Sequence, residues 1–143
     1  SLADVIGHAI TTTQAGAIKQ IKIDVSGLDT SIELDTDLDR LAQVFINLIS
    51  NAQKYCKSSE PKLLIKATKT DNEVCIFLTD NGLPIPVETH ALIFEKFSRI
   101  NDQDGSGAGL GLTICREIMI RLGGEIDYVP ASTGNRFVLR LPA

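Results

Sequence analysis

The stretch Leu41-Ala42-Gln43-Val44-Phe45-Ile46-Asn47-Leu48-Ile49-Ser50-Asn51-Ala52-Gln53-Lys54-Tyr55 carries two periodic signals at once. Leu41, Val44, Phe45, Leu48, Ile49 and Ala52 follow the i, i+3, i+4, i+7 spacing without a miss, which predicts a helix with one apolar face. Asn47, Asn51, Lys54 and Tyr55 recur at i, i+4, i+7 and i+8, a second stripe along the edge of that face. A stripe placed there is half-shielded, where a core wall meets a cavity. Upstream, Thr36 reads as the N-cap, with Asp39 as the capping-box acid three residues on.

On the N-terminal side, residues 2–18 place Leu2, Val5, Ile6, Ala9, Ile10 and Ala17 near one face of a helix. Ile21, Ile23 and Val25 alternate with Lys22 and Asp24 as a strand ending at Ser26-Gly27, and Ile32 with Leu34 predicts a short second strand. On the C-terminal side, Leu63 to Thr70 and Val74 to Thr79 read as strands joined by a turn at Asp71-Asn72. Pro84 and Pro86 break the chain into a loop and a short helix near Val87 to Phe97. Residues 99–108 are polar and glycine-rich and read as a mobile loop. A helix from Gly109 to Arg121 ends at Gly123-Gly124, and strands Glu125 to Val129 and Arg136 to Leu141 flank a final turn. The expected fold is an α/β two-layer sandwich: a mixed sheet of about five strands covered on one face by about three helices.

At 143 residues the chain is expected to be a single domain, and its 43% hydrophobic and 22% charged fractions are those of a globular protein. No apolar run approaches the roughly 18 residues needed to span a bilayer, so no membrane contact by this domain is expected. A net charge of −4 argues against nucleic-acid binding. Cys56, Cys75 and Cys115 are odd in number and far apart, which excludes a disulfide framework and fits a reducing cytoplasm. The chain opens at Ser1 inside a helical pattern, so it is expected to be a fragment of a longer protein.

Four motifs carry chemistry. Asparagine is a poor mid-helix residue, and Asn47 and Asn51 one turn apart point to a use. An amide oxygen can ligate Mg²⁺, and Lys54 can pair with phosphate; a solvated helix edge is the other reading. Asp80 ends an apolar strand before Asn81-Gly82, where a carboxylate can accept a hydrogen bond from an adenine amino group, although Asp-Asn-Gly is also a plain turn sequence. In Ile93 to Arg99, Phe94 and Phe97 read as anchors; Lys96 reads as a surface cation, and Arg99 as either a surface or a phosphate-facing one. Gly105, Gly107, Gly109 and Gly111 lead directly into a helix, an arrangement whose free N–H groups form an anion site. The run lacks Gly-Lys-Ser/Thr and does not follow a strand, so it is neither a P-loop nor a dinucleotide fingerprint. His8 lies among small residues with no acid beside it, which argues against a phosphoacceptor or general-base role. Together the motifs supply the parts of an ATP site.

In this order and at these separations the motifs resemble the catalytic and ATP-binding domain of sensor histidine kinases. That family sits in the wider group with type II topoisomerase ATPases, the ninety-kilodalton heat-shock chaperone and mismatch-repair ATPases. The resemblance runs from about Asp4 to Pro142 and includes Asp37-x-x-Arg40-Leu41 and a closing Gly134-Asn135-Arg136-Phe137 strand. It implies ATP and Mg²⁺ as cofactors, with Asn51 as the Mg²⁺ ligand and Asn47 near the γ-phosphate. Lys54 and Tyr55 would border the phosphates and the adenine or ribose, Asp80 would read adenine, and Gly82 would allow close approach to the base. Gly105, Gly107, Gly109, Leu110 and Gly111 would form the glycine box of a mobile ATP lid, with Arg99 on the phosphate side. Implied partners are a dimerisation and phosphoacceptor hairpin of the same or a sister protomer and a response regulator. The location would be cytoplasmic, with a parent protein that can be membrane-anchored.

Two departures stand out. The family's Asp-x-Gly-x-Gly box has Pro84 in place of its second glycine, which stiffens the loop beside the base. The family's phosphoacceptor histidine, in a His-acid context on a helical hairpin, is not in this chain. Other readings stay open at this point: an anti-sigma-factor-type serine kinase, which typically carries an acid where Asn47 stands, and a degenerate docking module without ATP, which Pro84 keeps in view.

Overall fold

The structure, a computed structural model, describes residues 1–15, 21–56, 58–85, 93–94, 108–131 and 134–143, with 108–111 through the backbone alone. Its elements are α1 (Leu2–Gln14), β1 (Lys22–Asp24), α2 (Leu38–Tyr55), β2 (Lys62–Lys69), β3 (Glu73–Asp80), α3 (Ala108–Arg121), β4 (Glu125–Ala131) and β5 (Gly134–Pro142). The strands form one mixed sheet in the order β1-β2-β3-β5-β4. β1 runs parallel to β2, and the other neighbours are antiparallel.

Period-two burial fixes which face of the sheet is inside. Leu63, Ile65 and Ala67 of β2, Val74, Ile76 and Leu78 of β3, and Leu139 and Leu141 of β5 all enter one core with the helices. The apolar stripe of α2 fills the centre of that core; Leu41, Val44, Phe45 and Ile49 are fully shielded. α1 is tied across to α2 by Gln53, whose Nε2 donates to Gln14 Oε1 at 2.6 Å, while Gln14 Nε2 donates to Ile21 O at 2.6 Å. α3 closes through Gly123, at φ +82, where only a residue without a Cβ sits without strain. Gly124 N then donates to Met119 O at 2.8 Å.

Several sequence expectations are corrected. Among the described residues, Ile32 and Leu34 join no strand; Ile32 instead plugs the core, and its carbonyl accepts the Leu2 N–H at 3.1 Å. Their alternation reflects a loop pinned under α1, not a ladder. The α2 N-cap is Asp37, whose carboxylate accepts from Arg40 N at 3.2 Å, one residue later than Thr36. α1 ends at Gln14, and α3 starts at Ala108. The short helix expected near Val87 to Phe97 lies outside the described residues except for 93–94, and the loop at 99–107 lies outside them entirely.

Candidate functional site

A cavity of about 220 Å³ opens between α2 and the ends of β3 and β5. α2 contributes Leu48, Asn51, Ala52 and Tyr55, placed along one edge of the helix by its 3.6-residue period. The sheet contributes Leu63, Leu78, Asp80, Asn135 and Phe137. Leu83, Pro84 and Ile85 form a third wall, and Leu112 of α3 a fourth. Most of this lining is apolar, with a carboxylate and two amides set into it, the composition that grips a flat heteroaromatic ring and fixes its orientation.

Asp80 is the charged group of the cavity. Burial pushes its carboxyl above the usual carboxylate range, opposed by hydrogen bonds from Gly82 N–H and the Asn135 side chain. Both side-chain bonds end on one oxygen: Gly82 N donates to Asp80 Oδ1 at 2.8 Å and Asn135 Nδ2 at 3.2 Å. Neither of these two bonds falls on Oδ2, and the Asn135 backbone also acts to lower the carboxyl. A Cβ on Gly82 would stand 3.1 Å from that Oδ1 and 3.2 Å from Cys56 Cα, so the turn holds the acid closely. The adjoining Asn81 is structural: its side chain accepts from Lys62 N at 2.9 Å and Cys56 Sγ at 3.1 Å, and donates to Glu60 O at 2.9 Å.

Asn51 lines the same cavity as Asp80, and its buried Nδ2 has no hydrogen-bond partner among the described residues. An orphaned buried donor costs about 1–3 kcal/mol, so this amide favours a ligand that satisfies it. Nδ2 can donate to a phosphate oxygen, and a half-turn of the amide presents Oδ1 to a cation.

Behind the wall, Phe137 packs edge-on against Tyr128 at 5.4 Å and Phe94 at 6.2 Å. Thr113 Oγ1 of α3 donates to Phe94 O at 3.2 Å, which anchors the 93–94 segment beside the cavity. Burial raises the Tyr128 phenol above its ordinary range. A larger groove of about 670 Å³ lies between the start of α2 and α3. Its charged residues, Asp37, Glu117, Arg40 and Arg121, come in both signs, and none of the candidate nucleotide-binding residues lines it.

A family model of histidine kinase-, DNA gyrase B- and HSP90-like ATPases matches residues 36–143. The chain belongs to this ATPase family. It is 33% identical over 110 residues to the sensor protein SrrB of Staphylococcus aureus (strain NCTC 8325 / PS 47), covering 74% of this chain and 19% of that protein. The chain thus spans 19% of the length of this curated relative. The nucleotide-free catalytic domain of the histidine kinase ThkA superposes with a TM-score of 0.82 at 26% identity, over 99% of this chain and 91% of that one. Full-length ShkA in complex with AMPPNP gives 0.78 at 26% identity, over 99% of this chain and 30% of that one. Within the family this is an ATPase domain of the sensor histidine kinase type.

In this histidine-kinase-type domain, Asn51, Tyr55 and Asp80 line one cavity, with Gly82 bonded to the acid. Asn47 and Lys54 are not in the described lining: Asn47 Oδ1 accepts from Gln43 Nε2 at 2.9 Å, and Lys54 is exposed on α2. Gly109, Leu110 and Gly111 fall in the first turn of α3, while Arg99, Gly105 and Gly107 lie outside the described residues. Asn135 and Phe137 are site residues to which the motif reading gave no role. The available signal was their parity: counted along β5, both sit on the inward face with Leu139 and Leu141. Among the described residues no helix is long and apolar enough to cross a membrane.

Proposed function

We propose that this domain binds Mg-ATP in the Asn51–Asp80 cavity and donates the γ-phosphoryl group to a histidine on a separate dimerisation hairpin, of the same or a sister protomer. The observation that carries the reading is the pairing, within apolar walls, of an acid whose bonds from Gly82 and the Asn135 side chain fall on one oxygen and a buried amide Nδ2 lacking a partner among the described residues. Asp80 Oδ2 would accept from the adenine amino group, and a base without that donor would leave the acid unpaired. Leu48, Leu78, Ile85 and Phe137 would exclude water from the ring. Asn51 would hold Mg²⁺ with the phosphates; the cation supplies charge neutralisation during transfer.

Little covalent chemistry is asked of the protein in such a transfer, since positioning and neutralisation dominate it. Half-buried Asn47 and exposed Lys54, on the same helix, would meet the phosphates, with Arg99 and the run Gly105 to Gly111 closing over them. A response regulator would take the phosphoryl group onward, and the domain would work on the cytoplasmic side of a longer kinase. Pro84 stands in the cavity wall and leaves the cavity open, which favours the nucleotide reading over a docking module.

Calorimetric titration with ATP, with and without Mg²⁺, tests this, with GTP and Asn51→Ala as comparisons. Magnesium-dependent, adenine-selective binding that the variant loses is expected. No detectable binding by folded protein would overturn the assignment.

A further inference from the structure

Asn135 is 9% exposed and its amide is fully committed. Nδ2 donates to Asp80 Oδ1 at 3.2 Å and to Leu83 O at 2.9 Å; Oδ1 accepts from Ile85 N at 3.0 Å and from the Tyr128 hydroxyl. An amide side chain has two donor hydrogens and two acceptor lone pairs, so four bonds exhaust it. Two of them fall on either side of Pro84, a residue that offers no N–H of its own. A third falls on the acid. One side chain thus fixes both the Leu83–Ile85 wall and the orientation of Asp80.

We propose that Asn135 is the positioning residue for base selectivity: by occupying Asp80 Oδ1 and holding the peptide groups flanking Pro84, it leaves Asp80 Oδ2 to read the 6-amino group of adenine. The proposal rests on the nucleotide reading above and adds the residue that makes it selective. A merely structural Asn135 would strengthen the fold without changing which base is preferred.

The test is a calorimetric comparison of ATP with purine riboside triphosphate, which lacks the 6-amino group, on wild type, Tyr128→Phe and Asn135→Ala. Wild type is expected to prefer ATP by roughly tenfold or more, the worth of a buried acid left unpaired. Tyr128→Phe keeps both Nδ2 bonds, so its preference is expected to stay within about threefold of wild type. In Asn135→Ala the preference is expected to collapse toward unity through loss of ATP affinity. Asn135→Asp, which keeps the acceptor and removes the donor, gives the same collapse where the alanine variant does not fold. A preference unchanged in a folded Asn135 variant that binds ATP overturns the positioning role alone. Binding of neither triphosphate by folded wild type overturns the nucleotide reading and this inference with it.

Discussion

Asp80 and Asn135 are direct partners in the β3–β5 ladder, and the Asn135 side chain donates to the Asp80 carboxylate at 3.2 Å. The ladder brings together residues 55 positions apart, at the end of two inward-facing rows that otherwise carry only apolar side chains. The sheet therefore sets the acid at the half-buried end of an apolar row, where desolvation raises its carboxyl, and the amide keeps one of its oxygens satisfied. That combination gives a selective acceptor: shielded enough that an absent donor is costly, ordered enough to point one way.

The Asp80 carboxyl, held above its ordinary value by burial, makes stability depend on pH with a definite sign. Between the ordinary value of about 3.9 and the raised one, the folded chain keeps a proton that the unfolded chain releases. Stability therefore falls as pH rises through that window, and the deficit persists above it. Asp80→Asn keeps an acceptor for Gly82 and Asn135 while removing the charge, so the ligand-free variant is expected to melt higher than wild type near neutral pH. The gain should shrink as pH is lowered through the window, while ATP affinity drops roughly tenfold or more. Melting curves across pH check this; a gain that grows on acidification would contradict it.

Gly134 faces the backbone of Asp80 so closely that a Cβ there would overlap the Asp80 carbonyl oxygen and stand 2.8 Å from its carbon and 3.1 Å from Asn81 Cα. None of these atoms belongs to a flexible side-chain end. Gly134→Ala is expected to force β3 and β5 apart at the site, with a cost of about 1–3 kcal/mol and weaker ATP binding. Denaturant unfolding and calorimetry measure the two effects. A variant with wild-type stability and affinity would show that the strands yield freely there.

What the sequence made legible was whatever a local period or a contiguous motif encodes. α2 could be read because six core residues repeat on one face, and Asn51 and Asp80 because each sits in a recognisable string. Asn135 stood in the closing Gly134-Asn135-Arg136-Phe137 string and on the inward parity of β5, but its role could not be read from either, because its partners Asp80, Leu83 and Ile85 lie 50 to 55 positions away. The strand expected at Ile32 and Leu34 failed for the converse reason. Alternating burial in a loop packed under α1 imitates a strand when the hydrogen-bond partner is invisible.

The start of α2 offers a clean comparison of two neighbouring caps. Both Thr36 and Asp37 have oxygens suited to capping, yet the structure gives the bond to Arg40 N to the Asp37 carboxylate at 3.2 Å. Asp37→Ala is expected to cost about 1 kcal/mol, whereas Thr36→Ala should fall within about 0.5 kcal/mol of wild type. Urea unfolding of the two variants decides between them. A larger loss at Thr36 would move the cap back to the position the sequence pattern favours.

The three cysteines should separate by reactivity in the folded chain. Cys115 is fully buried beneath α2, and burial pushes its thiol up to about 12, so almost no thiolate exists near neutral pH. Cys56 is 2% exposed, its Sγ donating to Asn81 Oδ1 at 3.1 Å under the turn that carries Gly82. Cys75 lies on the opposite face of β3 and is partly exposed, although burial and the neighbouring Glu73 raise its thiol as well. An aromatic disulfide reagent is therefore expected to label Cys75 slowly in native protein and all three thiols once the chain is unfolded. Mass spectrometry of the labelled peptides reads the sites directly. Prompt native labelling of Cys56 would mean that the Asn81–Gly82 turn opens readily, and the fixed orientation assigned to Asp80 would then fail.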